Sequence, residues 1–129
     1  MSECEKTTIL LVDDRPENLF ALGRIFEDSG YILLQAGSGY EALRIVLQTH
    51  IDLILLDVRM PGMDGYQTCE RLKANERTRD IPVIFISALD DIRDKINGFK
   101  AGGVDYVTKP PQAEEVLARV NAHLAIRQL

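Results

Sequence analysis

The 129-residue chain has no tryptophan, two cysteines, two histidines and no excess of basic charge. Each scarcity narrows the function. Cys4 and Cys69 form no zinc-like or redox-like pair. Cys4 sits in a polar N-terminal tail and Cys69 in a helical pattern, so both are expected to be free thiols in a reducing compartment. A net charge of −5 lacks the basic face of a nucleic-acid binder, so no direct nucleic-acid contact is expected. The same balance suits a site that attracts cations. No apolar run approaches the roughly 18 residues of a membrane span. Residues 1–6 are polar and the apolar run after them is too short for a signal peptide, so a cytoplasmic protein without membrane attachment is expected.

What the chain does have is alternation. Short apolar runs at residues 8–12, 31–36, 53–56, 82–86 and 104–107 alternate with helical patterns. The runs are near-continuous rather than period-two, which points to parallel strands buried on both faces. Leu19, Leu22, Ile25 and Phe26 recur at helical spacing before Gly30, a plausible stop. Ala42, Leu43, Val46 and Leu47 do so after Ser38, a possible N-cap. Residues 63–73 carry Tyr66, Cys69 and Leu72 on one face; residues 90–100 carry Ile92, Ile96 and Phe99; residues 112–128 carry Val116, Val120 and Leu124 behind the helix-blocking Pro110-Pro111 pair. Strand-helix five times over predicts one doubly wound α/β domain across residues 1–129, with right-handed crossovers and residues 1–6 as a tail.

The polar residues sit at one edge of that sheet. Strand one runs into Asp13 and Asp14, strand three into Asp57, strand four into Ser87, and Lys109 follows strand five. Ligands of open parallel sheets bind at the carboxyl ends of strands. Alone, Asp14 or Asp57 reads best as a helix cap, Lys109 as a solvated lysine and Tyr106 as core. Together they imply more. Three converging carboxylates repel one another and call for a cation. An all-oxygen donor set without His or Cys suits Mg2+, which prefers one or two carboxylates, waters and a phosphate. Lys109 can hold a phosphate oxygen and Ser87 can donate to another. A carboxylate is a competent nucleophile toward phosphorus.

Two other readings compete. Gly37 to Ala42 fits G-x-G-x-x-A between a strand and a helix, with Asp57 at about the spacing of a ribose-binding acid. That dinucleotide-binding reading leaves Asp13, Asp14, Ser87 and Lys109 unexplained. An aspartyl-nucleophile phosphatase usually carries a second acid two residues after the nucleophile. Here Arg59 stands there and cannot act as the acid-base group.

The motifs Leu11-Val12-Asp13-Asp14, Leu55-Leu56-Asp57 with Met60-Pro61-Gly62-Met63-Asp64-Gly65, Ile86-Ser87-Ala88, Gly102 to Tyr106 and Thr108-Lys109-Pro110 resemble the receiver domain of bacterial two-component response regulators. The resemblance covers nearly the whole chain. It implies a flavodoxin-like (βα)5 fold, with a parallel sheet of order 2-1-3-4-5 and helices on both faces. It implies that Asp57 is the phosphoacceptor and that Asp13, Asp14 (most directly), Asp57 and the Arg59 backbone carbonyl hold Mg2+. Ser87 and Tyr106 resemble the switch pair, and Lys109 the phosphate-pairing lysine ahead of a cis Lys109-Pro110 bond. Pro61 and Gly62 would shape the loop after Asp57, and Gly65 would let the next helix start tightly. Pro111 and Gly103 depart from the usual pattern, where a bulky apolar residue and alanine are common. The implied partners are a sensor histidine kinase or histidine phosphotransfer protein, and an output domain or downstream protein. A homodimer through the fourth helix, fifth strand and last helix is also expected. Residues 121–129 resemble the start of a linker helix, so an excised receiver is favoured over a stand-alone one.

Overall fold

The apolar runs become β1 (Thr8–Val12), β2 (Ile32–Ala36), β3 (Leu53–Asp57), β4 (Val83–Ser87) and β5 (Asp105–Thr108). Between and after them lie α1 (Pro16–Ile25), α2 (Gly39–Gln48), α3 (Gly65–Ala74), α4 (Ile92–Ala101) and α5 (Ala113–Arg127). The computed structural model describes residues 6–88 and 92–127. Cys4, the rest of the tail at residues 1–5, the expected helix start at Asp90, the side chains of residues 92–94 (Ile92 among them), and Gln128 and Leu129 lie outside the described residues. The strands form one parallel sheet of order β2-β1-β3-β4-β5, as expected.

Near-continuous hydrophobicity follows from the pleat, because successive side chains point to opposite faces. Leu10, Val12, Ile54, Leu56, Val83 and Phe85 join one core, with Ala42 of α2, Cys69 and Leu72 of α3 and Ala101 of α4. Ile9, Leu11, Leu53, Leu55, Ile84 and Ile86 join the other, with Leu19 and Leu22 of α1 and Val116, Val120 and Leu124 of α5. All residues of β1, β3 and β4 are buried. β2 differs: Ile32 and Gln35 are exposed, because β2 is an edge strand. Cys69 is fully buried, and burial pushes its thiol up to about 11, which makes it inert.

The helix boundaries follow their caps. α1 ends at Ile25 rather than running to Gly30. Residues 26–29 turn instead, with the Ser29 hydroxyl donating to Phe26 O at 2.7 Å. α3 begins two residues later than expected because Asp64 caps it: Gln67 N donates to Asp64 Oδ1 at 2.9 Å and Asp64 N donates to Gln67 Oε1 at 3.0 Å. The same device settles the glycine-rich segment before α2. Glu41 N donates to Ser38 Oγ at 3.0 Å, and Gly37 N donates to Glu41 Oε1 at 2.7 Å. That N-terminus is closed by its own side chains, so the dinucleotide-binding reading is not supported.

α4 turns an unexpected face to the sheet. Ile96 and Phe99 are exposed, while Gly98 is buried. The reason is Phe85. A Cβ on Gly103 would lie 2.4 Å from the Phe85 ring, and one on Gly98 would lie 3.0 Å from it. Tyr66 meets the same ring edge-on, with centroids 5.2 Å apart. The fully buried Phe85 thus occupies a slot floored by two glycines, which explains why glycine rather than alanine stands at position 103. Gly103→Ala is expected to cost about 1–3 kcal/mol in urea unfolding by overpacking that slot. Adding Phe85→Leu should recover part of that loss; strictly additive effects in the double-mutant cycle would refute the slot.

Candidate functional site

Strand register gathers the polar residues. Val12 pairs with Leu56, so Asp13 and Asp57 leave adjacent strands side by side. Asp57 pairs with Ile86, and Ser87 pairs with Thr108, which brings Lys109 one residue beyond the same edge. Backbone bonds secure these ends. Asp13 N donates to Ala36 O at 3.1 Å, Val58 N to Ile86 O at 3.2 Å and Lys109 N to Ser87 O at 2.7 Å. The Lys109-Pro110 bond is cis, as expected. Gly65 lets α3 press against β3: a Cβ there would lie 2.4 Å from Asp57 O.

Asp13, Asp14, Asp57, Arg59, Ser87 and Lys109 come to this edge, but not equivalently, while Tyr106 lies within β5 opposite Phe85. Asp13 and Asp57 are buried, whereas Asp14 is exposed. One carboxylate oxygen from each of the three lies within 4.8 Å of the others. Lys109 Nζ is 2.7 Å from Asp57 Oδ1 and 3.4 Å from Asp13 Oδ2. Ser87 is buried beside them, and Tyr106, on the neighbouring strand opposite Phe85, is also buried. A cavity of about 390 Å3 opens over the cluster, lined by Asp13, Asp14, Arg15, Asn18, Asp57, Arg59, Ser87, Ala88 and Lys109. Arg15 and Asn18 had not been singled out. Asn18 is the third residue of α1, in the first turn after the strand end that carries Asp13 and Asp14, and that position was the available signal.

An all-oxygen set of this size fits a hard divalent cation. The three carboxylates have one close ammonium, and the cavity leaves room for water. The charge balance shows in the titration. Burial is the largest influence on Asp57 and raises its carboxyl above the ordinary range; Lys109 pulls the other way, and Asp13 and Asp14 add repulsion. Burial also pulls the Lys109 ammonium down, but Asp57 and Asp13 outweigh it and hold it above its usual value.

The sign for Asp57 is unfavourable to the fold. The native state holds this proton more tightly than the unfolded chain does. Stability therefore falls as pH rises through the window above the ordinary carboxylate value. Asp57→Asn is thus expected to raise the metal-free melting temperature at pH 7 by about 2–5 °C. Millimolar Mg2+ should raise the wild type more than the variant. Differential scanning calorimetry with and without Mg2+ checks this, and a lower melting temperature for the metal-free variant would contradict it.

Comparison with known proteins agrees with this geometry. The family model for the response regulator receiver domain matches residues 9–121. RpaA of Synechocystis sp., a DNA-binding dual master transcriptional regulator, is 45% identical over 116 residues, which are 90% of this chain and 48% of that protein. PilH of Pseudomonas aeruginosa is 37% identical over 117 residues, 91% of this chain and 97% of that protein. The receiver domain of a signal transduction histidine kinase from Syntrophus aciditrophicus superimposes with a TM-score of 0.85 at 38% identity, covering 92% of this chain and 90% of that one. The chain spans half or less of the length of several curated relatives it matches. With five parallel strands in the order 2-1-3-4-5 and an acidic cluster at their carboxyl edge, the chain belongs to the response regulator receiver domain family.

Proposed function

We propose that Asp57 accepts a phosphoryl group from a histidine of a sensor kinase or phosphotransfer protein, and that Ser87, Tyr106 and Lys109 convert that event into a change of surface. Receiver domains of response regulators are phosphorylation-dependent switches that work with such kinases and with output domains. The observation that carries the residue assignment is the Lys109–Asp57 contact of 2.7 Å inside a cluster of three carboxylates. Asp13, Asp14, Asp57 and the Arg59 backbone carbonyl would hold Mg2+. Bound there, Mg2+ supplies charge neutralisation next to the reacting oxygens.

A carboxylate oxygen of Asp57 attacks phosphorus in line, the phosphorus–nitrogen bond to the donor histidine breaks, and the imidazole keeps the bonding pair. Lys109 then holds a phosphoryl oxygen. The group adds nearly two negative charges. Ser87 moves to donate to it, and Tyr106 is the neighbour that fills the vacated space. Tyr106 pairs with Phe85 on the strand that carries Ser87, which supports that coupling. Arg59, two residues after Asp57, offers no general acid, which supports self-phosphorylation and slow self-dephosphorylation rather than turnover of an outside substrate. Residues 1–129 are read as one cytoplasmic receiver domain, with residues 121–129 opening a linker helix to an output domain. Neither direct nucleic-acid contact nor membrane attachment is proposed, and among the described residues no helix is long and apolar enough to cross a membrane.

Asp57→Asn is expected to abolish Mg2+-dependent labelling by acetyl phosphate. Stoichiometric labelling that survives the change would overturn the assignment of Asp57. A homodimer through α4, β5 and α5 is also proposed, because Ile96, Phe99 and Val104 leave an apolar patch exposed there. In sedimentation with Mg2+ and beryllofluoride the wild type should dimerise, and Phe99→Asp should stay monomeric. Equal dimerisation of both would remove this face from consideration.

A further inference from the structure

The site chemistry leaves one set of ionisable side chains unused. Asp105 opens β5, one residue before Tyr106. Its Oδ1 accepts from the Tyr106 backbone N–H at 2.8 Å and from Arg119 Nη1 at 2.6 Å. Its Oδ2 lies 3.0 Å from His123 Nε2. Arg119 Nε in turn donates to Glu115 Oε2 at 3.2 Å. The Asp105 and His123 side chains are only 17% and 20% exposed. One carboxylate therefore ties the main chain of the buried Tyr106 to two side chains one turn apart on α5. Burial would raise the Asp105 carboxyl, but the Tyr106 N–H, Arg119 and His123 together outweigh it and hold it below its ordinary value.

We propose that Asp105 is a positioning residue for Tyr106, and that protonation of His123 tightens this clamp and favours the inward state of the switch. The inference rests on the receiver reading of the Asp57 site and names a regulation of it. Three features carry it. The clamp is made while the Tyr106 ring is buried, and a group shifts a two-state element only through contacts that differ between the states. The imidazolium donates to Asp105 as a cation, and the neutral ring does so only in one tautomer and without charge. Histidine changes charge within the physiological range, whereas Arg119 does not.

The surroundings leave His123 as the variable member. On β5 Asp105 is the charged residue, and Tyr106 is the other titratable one. On α5 Arg119 and Glu115 pair with each other. On α1, the other helix against α5, Arg24 is 3.5 Å from Glu27. On α4, which packs on β5, the described charged side chains include Lys95 and Lys100.

The test measures beryllofluoride affinity of the full chain, with saturating Mg2+, at pH 6 and pH 8, in the wild type, His123→Gln and His123→Lys. Direct effects of pH on the probe and on the metal site are common to all three. The wild-type ratio of affinities, pH 6 over pH 8, should exceed that of both variants by about two- to fivefold, the range expected of a partly exposed ion pair. His123→Lys should stay near the pH 6 wild-type affinity at both values, and His123→Gln near the pH 8 one. In an Asp105→Asn background the His123 substitutions should have no further effect on the ratio. Equal ratios in all three proteins, or His123 effects that persist without the Asp105 carboxylate, would overturn the proposal. A wild type that fails to bind beryllofluoride, or an Asp57→Asn variant that binds it equally well, would refute the receiver reading instead.

Discussion

Three carboxylates held within 4.8 Å of one another, with one lysine ammonium against them, are the constraint around which the rest of the molecule is arranged. Such a cluster is costly to bury, and the raised Asp57 carboxyl records that cost. It persists because the sheet beneath it is over-determined. β1, β3 and β4 are buried on both faces, and their register leaves Asp13 and Asp57 no alternative neighbours. The stability of two apolar cores thus holds charges together that would otherwise separate. The same unbalanced negative charge is what makes the cluster suited to a hard cation.

The route away from the site runs through β4 and β5. Ser87 and Phe85 share β4, Tyr106 pairs with Phe85, and Asp105 begins the strand that carries Tyr106. Phe85 is wedged over Gly98 and Gly103, which draws α4 in through its small residues and leaves Ile96 and Phe99 facing outward. One packing decision therefore creates both the tight neighbourhood of Tyr106 and the exposed apolar patch on the outer face. On the other side of the sheet Asp105 ties the same strand to α5 through Arg119 and His123. A small rearrangement at Ser87 has packed neighbours in both directions, because well-packed elements shift between discrete arrangements rather than deform continuously.

Much of this was legible before any coordinates. Apolar runs of strand length separated by 3.6-period segments state a doubly wound sheet, because a strand covered on both faces has no polar side to show. The acids, serine and lysine were legible for the same reason: each ends a run, and strand ends share an edge in a parallel sheet. The receiver motifs then fixed the strand order. Boundaries were less legible. Asp64 decides where α3 starts, and Ser29 shapes the turn that succeeds α1, through local hydrogen bonds that periodicity does not report. The G-x-G-x-x-A segment misleads because a capped helix start and a phosphate-binding turn use the same small residues.

By itself, then, the sequence determined the fold class and the identity of the groups at the carboxyl edge, since both follow from periodicity and from where runs end. Tertiary structure decided what depends on distance. It buried Asp13 and Asp57 but left Asp14 in solvent, placed Lys109 closer to Asp57 than to Asp13, and made β2 a half-exposed edge. It turned Ile96 and Phe99 of α4 outward while Gly98 met the Phe85 ring. It also joined Asp105 to His123, eighteen positions apart, through a β5–α5 packing that no local pattern encodes. Periodicity records which side of an element is apolar; which partners meet across the gap is settled only when whole elements pack.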